Sequence, residues 1–192
     1  MANNLYPVFL KLEKLNGLII GGGDTAHEKL FFMLKNSPQV NLQLVAKKVD
    51  PKIYDIVRQY KANVEIIESE YNFKHLHDKN YVIAATNDYN TNLKIVYDAR
   101  LKNILINVAD TPDMCDFYLS SIVSKGDVKI AISTNGKSPT FAKRLREFLE
   151  ELLPEETNAL VDNLHNIRNS LQGKNFKYKV KKLNEITSDL LG

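Results

Sequence analysis

The chain has 192 residues, a formal charge of +3, 44% hydrophobic and 26% charged residues, and one cysteine. That size suits one domain of ordinary length or a domain with an appendage, and it is enough to bury a core. The charge is too mild to argue for a nucleic-acid partner, and a lone cysteine forms no internal disulfide, so a reducing cytoplasm is the simplest expectation.

In chain order, MANNLYPVFLKLEKL opens with no basic segment followed by an apolar stretch, so no secretory signal is read. No run approaches the roughly 18 apolar residues of a membrane span. Within that opening, YPVFLKL reads as a short strand. GLIIGGG reads as a buried strand breaking into glycines. In TAHEKLFFMLKN, residues Ala26, Leu30, Met33 and Leu34 share a helical face. VNLQLVA is a second strand. PKIYDIVRQYKA is a helix with Asp50 as N-cap and Pro51 in its first turn. NVEIIES is a third strand, and YVIAAT a fourth, apolar enough to be covered on both faces. NTNLKIVYDARLKN is a helix and ILINVAD a fifth strand. Strands alternating with helices indicate a parallel sheet with right-handed crossovers.

The pattern then changes. FYLSSIVSKGDVKIAIST reads as two strands joined at Lys125-Gly126-Asp127, a hairpin signal. SPTFAKRLREFLEELLP is an amphipathic helix with Ser138 as N-cap, Pro139 at its first position and Pro154 as its stop. The tail places Leu160, Leu164, Ile167 and Leu171, then Val180, Leu183, Ile186 and Leu190, at helical spacing. The expected fold is α/β: a doubly wound, Rossmann-like parallel sheet over residues 1–112, a β-hairpin and helix region over 113–154, and a small helical C-terminal unit over 155–192.

Gly21-Gly22-Gly23-Asp24-Thr25-Ala26 fits the G-x-G-x-x-[GA] dinucleotide fingerprint. Small residues let the backbone turn tightly and approach a pyrophosphate, which then meets free amides at a helix N-terminus. A tight strand-to-helix turn without a ligand is the bland alternative. An acid is expected about 20 residues on, at the end of the second strand, to hold the ribose hydroxyls. Lys47 and Lys48 stand there instead. They can tolerate a 2'-phosphate or be a solvated pair, so the motif leaves NAD and NADP open.

Four further segments narrow the reading: YPVFLKL, IAATND, NVADTPDMCDF and AISTNGKSPTFAKRLRE. In that order and spacing they closely resemble the precorrin-2 dehydrogenase family, the dehydrogenase/ferrochelatase parts of siroheme synthases. The match covers residues 5 to about 154, and the chain is expected to be the stand-alone form, without a methyltransferase domain. The resemblance implies NAD-dependent oxidation of precorrin-2 to sirohydrochlorin. Some members also insert Fe(II) into the product. It further implies a homodimer, with the segment after the fifth strand exchanging contacts between protomers. It places the key aspartate at Asp110, and NAD contacts at Gly21, Gly22, Gly23, Asp24 and Thr25, at Lys47 and Lys48, and near Thr86. Two departures from the family pattern stand out: Glu28 replaces a basic position, and Asn135 fills a position that is often glycine.

Chemically, Asp110 can take the departing proton as a general base, stabilise cationic pyrrole nitrogens, or accept pyrrole protons in a chelatase step. Spacing alone leaves a turn or cap aspartate equally open; the resemblance implies catalysis. Asp113 follows Pro112 and reads as a turn residue, Asp116 as structural, and Cys115 as packed, since hydride transfer needs no nucleophile and no second cysteine completes a soft metal site. Lys125, Lys129, Lys137, Lys143, Arg144 and Arg146 form a basic belt suited to a polycarboxylate substrate, or a solubilising face. Lys137, Ser138 and Arg146 are the candidate substrate contacts. His75 and His77 read as solvated, and no resident metal site is expected. The alternative function is a non-enzymatic NAD-binding regulatory module, like those of potassium channels. It leaves SPTFAKRLRE unexplained.

Overall fold

In the computed structural model, which describes residues 3–188, parallel strands β1 (Asn16–Ile20), β2 (Asn41–Ala46), β3 (Asn63–Glu68), β4 (Tyr81–Ala84) and β5 (Leu105–Val108) form one sheet. Its order is β3-β2-β1-β4-β5, so the chain reverses direction across the sheet between β1 and β4. Helices α1 (Asp24–Asn36), α2 (Pro51–Tyr60) and α3 (Tyr89–Leu101) make the crossovers. The doubly wound expectation holds.

Period-two alternation sorts the core into two layers. Ile19, Leu42, Leu44, Tyr81 and Ile83 pack with Ala26, Leu30, Leu34 and Ile53 of α1 and α2. Leu18, Ile20, Val45, Val82, Ala84 and Ile106 pack with Ile95, Val96 and Ala99 of α3. β4 is buried at every position, as its all-apolar sequence requires. The expected α1 face (Ala26, Leu30, Met33, Leu34) is the buried one. Asp50 caps α2 by accepting the Lys52 amide at 2.9 Å, with Pro51 at the first position.

One strand expectation fails. YPVFLKL joins neither sheet among the described residues. Tyr6 is 88% and Phe9 68% exposed; unpaired with a sheet, the alternating pattern has no partner against which to bury its apolar side. Only the following 3-10 turn, Leu12–Lys14, engages the core, through Leu12 and Leu15.

Contacts divide the chain into Met1–Ser120 and Ser121–Gly192. In the second unit β6 (Ser121–Lys125) and β7 (Val128–Ile132) pair antiparallel at the expected Lys125-Gly126-Asp127 hairpin, with Lys125 paired to Val128 across Gly126-Asp127. Helix α4 (Pro139–Leu152) lays Ala142, Leu145, Leu149 and Leu153 against Val123 and Ile132. Ser138 caps it, accepting the Phe141 amide at 3.2 Å. Helices α5 (Thr157–Ser170) and α6 (Phe176–Thr187) follow. Leu160, Leu164 and Ile167 fall in α5, Leu171 ends it, and Val180, Leu183 and Ile186 fall in α6, while Leu190 lies outside the described residues. Neither helix buries a residue within the chain.

Candidate functional site

The glycine turn leaves β1 at the point where the sheet reverses. Gly21 has φ +129°, a region L side chains rarely adopt, and a Cβ there would lie 2.2 Å from the Ala85 carbonyl oxygen. Gly22 is pinned from the other side. A Cβ on it would lie 2.3 Å from the Lys48 carbonyl oxygen, and its own carbonyl accepts the Asp50 amide at 2.8 Å. Gly23 differs from both. Its φ is −97° and nothing stands within 4 Å of a Cβ built on it. It is the N-cap of α1 and offers no side chain to the first amides of that helix. Those amides, Asp24 and Thr25 among them, have no partner within the helix, and the helix dipole favours an anion there. Ala26 is fully buried, so the small third position of the fingerprint is required by helix–sheet packing. Two collisions and one open face above free amides make a cradle that fits the pyrophosphate of a dinucleotide. Asp24 points away toward Lys52, 3.5 Å from its ammonium.

The neighbouring strand exits close around this turn. Lys48 meets it through its main chain, while Lys47 pairs with Glu70 at 2.9 Å. Glu70 raises the Lys47 pKa, and Lys47 in turn lowers that of Glu70. Beyond β4, the Thr86 hydroxyl donates to Asn92 Oδ1 at 2.7 Å, and Asn92 Nδ2 donates to the Thr86 carbonyl at 3.0 Å. Asn92, 7% exposed, thereby locks this loop onto α3. Asp88 caps α3, accepting from the Asn90 amide at 3.1 Å and the Thr91 hydroxyl at 2.6 Å; the Thr91 bond is the main cause of its lowered pKa.

The residues past β5 divide by what their side chains touch. Asp116 donates its amide to the Ile106 carbonyl at 2.7 Å and accepts the Ile106 amide on Oδ2 at 3.1 Å. The Cys115 thiol accepts the Val108 amide at 3.2 Å and contacts the Val108 carbonyl at 3.2 Å. Asn107 Nδ2 donates to the Phe117 carbonyl at 2.8 Å. β5 is an edge strand, and these groups satisfy the ladder positions that no sixth strand fills. Burial pushes the Cys115 pKa up. Asp113 lies in the 3-10 turn Pro112–Met114. Asp110 is different: it is exposed, it sits at φ +57°, and its side chain caps nothing and bonds to no other described residue. Asp tolerates the left-handed region better than most residues, at a cost of about 1 kcal/mol.

His75 Nδ1 accepts the Asn72 amide at 3.2 Å in a capping box, and burial lowers its pKa. His77 pairs with Asp78. Among the described residues no group of three or more His, Cys, Asp or Glu side chains is arranged to hold a metal ion.

In the second unit much of the basic belt is engaged locally. Lys125 pairs with Glu155, Arg144 with Glu147 at 2.9 Å, and Arg146 Nη1 donates to both Glu150 oxygens at 2.9 Å. Lys137 is exposed and makes no side-chain ion pair with a described residue. The loop before α4 turns through two left-handed residues, Asn135 at φ +54° and Gly136 at φ +75°. Asparagine and glycine are the residues that adopt that conformation most readily, so both fit this turn.

Sequence reasoning missed Glu70, Asn92 and the edge-capping role of Cys115 and Asp116. Asn92 alone left a signal, as a polar residue on the buried face of a helix. The other contacts depend on which strands are neighbours.

Residues 8–121 match the family model described as "Putative NAD(P)-binding", and residues 125–152 match the model for the central part of sirohaem biosynthesis proteins. The chain is 34% identical over 171 residues to the siroheme synthase of Psychrobacter arcticus, covering 89% of this chain and 30% of that protein. It is 31% identical over 166 residues to that of Nitrosomonas europaea, covering 86% and 34%. The chain thus spans about a third of the length of these relatives. The solved structure titled "SirC, precorrin-2 dehydrogenase" shares the fold, with a TM-score of 0.75 at 24% identity over 96% of this chain and 90% of that one. No helix of the described residues is long and apolar enough to cross a membrane. The resemblance carried by the four motifs is borne out: the chain belongs to the NAD(P)-binding family whose model spans residues 8–121, and it is a relative of the siroheme synthases.

Proposed function

We propose that this protein oxidises precorrin-2 to sirohydrochlorin with NAD, a step toward siroheme. The observation that carries the reading is the glycine turn. It is held shut against Ala85 and Lys48, open only at Gly23 above the first amides of α1, at the edge where β5 also delivers Asp110. Gly21, Gly22, Gly23, Asp24 and Thr25 would hold the pyrophosphate, with Lys47, Lys48 and Thr86 along the nucleotide. The bound nicotinamide supplies the hydride acceptor.

Asp110 takes the proton that leaves the tetrapyrrole as its carbon is oxidised. Its left-handed turn projects a carboxylate with no competing partner among the described residues. Lys137, at the foot of α4, meets the substrate's carboxylates. Ser138 contributes mainly by capping α4 through the Phe141 amide, and, with Pro139 carrying no N–H, the Thr140 amide is left at that helix start to receive a carboxylate. Arg146 joins them by exchanging its Glu150 partner, a half-buried i,i+4 helix pair. Fe(II) enters as the substrate of a second, chelatase step at the same carboxylate. Homodimerisation in the cytoplasm completes the reading, supported by the uncovered apolar side chains of α5 and α6, Leu160 and Val180 among them.

The test is turnover of precorrin-2 with NAD and with NADP, in wild type and in Asp110→Asn. Asparagine keeps the left-handed backbone, so the fold is expected to survive while kcat falls about 10²–10⁴-fold. An Asp110→Asn enzyme with wild-type kcat removes the base assignment. Nucleotide binding without turnover of any tetrapyrrole favours the regulatory-module alternative. Sirohydrochlorin and Fe(II) supplied without NAD test the chelatase step separately, and a rate no higher than the uncatalysed one excludes it.

A further inference from the structure

The end of β2 lacks the acid that ordinarily accepts the ribose hydroxyls of NAD, and Lys47 stands there instead. The neighbouring strand supplies what is missing. β2 and β3 run parallel in register, Ala46 opposite Glu68, so the residues just past their ends lie side by side. Lys47, one residue past β2, meets Glu70, two residues past β3, at 2.9 Å. Their side chains are 75% and 76% exposed, so the pair adds little stability. Its position is nevertheless fixed on both sides. The Tyr54 hydroxyl of α2 donates to Glu68 at 2.6 Å, and the Tyr71 hydroxyl donates at 2.9 Å to Asp98, buried on α3. The backbone before and after Glu70 is thus tied to a helix on each face of the sheet. The Lys47 loop is tied to the glycine turn, through the Lys48 carbonyl packed on Gly22 and the Asp50 amide donated to it.

We propose that Glu70, held by Lys47, takes the part of the absent β2 acid: it accepts the ribose 2'-hydroxyl of NAD and repels the 2'-phosphate of NADP, so the site selects NAD. This rests on the nucleotide-binding reading of the glycine turn. A carboxylate accepts a hydroxyl well and rejects a dianionic phosphate beside it. Lys47, the cation best placed to welcome that phosphate, already has its charge matched by Glu70. Asp88, at the exit of β4, adds a second negative charge that acts on Lys47 from a distance, its carboxylate held by the Asn90 amide and the Thr91 hydroxyl. Lys48, and Lys94 whose charge also acts on Glu70, are the other cations nearby, and neither makes the 2.9 Å contact to Glu70 that Lys47 makes. The Lys47 ammonium keeps the Glu70 carboxyl below its ordinary range, so it is an acceptor at neutral pH.

The experiment is equilibrium titration of the full chain with NADH and NADPH, followed by nicotinamide fluorescence, which needs no substrate. Wild type is expected to prefer NADH. Glu70→Gln keeps the shape but removes the charge and frees Lys47; it should move the NADH/NADPH affinity ratio toward NADPH by about tenfold. Adding Lys47→Ala to Glu70→Gln should shrink the NADPH gain to the part that lost repulsion supplies, since Lys47 is the cation released. A wild type that prefers NADPH or a Glu70→Gln ratio within about twofold of wild type overturns the assignment while leaving nucleotide binding intact. A wild type that binds neither nucleotide overturns the underlying reading, and the assignment with it.

Discussion

Three consecutive glycines need not share a reason, and alanine substitution separates them. At Gly22 a Cβ meets the Lys48 carbonyl oxygen at 2.3 Å and the Ala46 Cβ at 2.7 Å, both attached to the stiff end of β2. Neither can retreat cheaply, so Gly22→Ala should cost about 1–3 kcal/mol as overpacking. For a chain of this size that lowers Tm by roughly 2–12 °C. At Gly23 the Cβ meets nothing within 4 Å, and φ −97° is open to any residue. Losing glycine at the N-cap costs about 0.5–1 kcal/mol, and the stiffer unfolded chain returns about 0.4–1 kcal/mol, so Gly23→Ala should change stability by under about 0.5 kcal/mol. Its methyl group, however, fills the opening above the α1 amides through which a pyrophosphate must approach. NADH affinity should fall at least about tenfold, or 1.4 kcal/mol. Thermal unfolding of the apo chain and NADH titration, run on both variants, give the two readouts. Gly23→Ala binding NADH as wild type does would refute the cradle; a Tm loss matching that of Gly22→Ala would refute the separation of roles.

Two further outcomes follow from buried groups. Tyr81 is 2% exposed and its hydroxyl has no partner among the described residues, while the ring covers Gly17 and meets Phe117 edge-on. Tyr81→Phe removes an unpaired buried donor worth about 1–3 kcal/mol of penalty and keeps the ring, so Tm should rise or hold; a clear fall would mean that the hydroxyl has a partner. Burial, the chief cause, raises the Cys115 pKa above its ordinary 9.0; the Val108 amide opposes the shift and the Asp116 charge adds to it. The folded state therefore holds the thiol proton more tightly than the unfolded chain. The stability this contributes is full below pH 9.0 and is lost as pH climbs through the folded value. Alkylation by iodoacetamide at about pH 8 should run at least about tenfold slower than for a free cysteine, and an unhindered rate would contradict the packed position.

How far the sequence could be read depended on the range of the interaction. The buried face of α1, the Asp50 cap, the turn at Gly126 and the start of α4 at Ser138 are set within four residues, and each was legible. YPVFLKL carries strand-like alternation, but alternation forms a strand only where a sheet edge accepts it, and the segment pairs with neither sheet. Lys47 and Lys48 looked like two equivalent surface lysines. They differ because one turns its side chain to Glu70, while the other contributes a main-chain carbonyl against Gly22. That difference follows from β3 lying beside β2, a property of the topology and not of the local spacing.

The same dependence on topology resolves NVADTPDMCDF, where three aspartates and a thiol crowd the end of one strand. Read linearly, they invite a shared metal. β5 is an edge, however, and its outward amides and carbonyls at Ile106 and Val108 need partners. Asp116 takes both groups of Ile106, and the Cys115 thiol takes both groups of Val108. A carboxylate or thiol spent this way cannot turn toward a ligand without unpairing the edge, at about 1–3 kcal/mol for each group left buried and unsatisfied. Asp113 belongs to the 3-10 turn that brings the chain back along the edge. Only Asp110 is left, ahead of the returning segment, with a backbone held left-handed and a side chain that none of these bonds engages. The crowding is thus a consequence of closing an edge strand immediately after the residue that must stay free. Lengthening or repacking the return segment should disturb Asp110 through its backbone before any chemistry is touched.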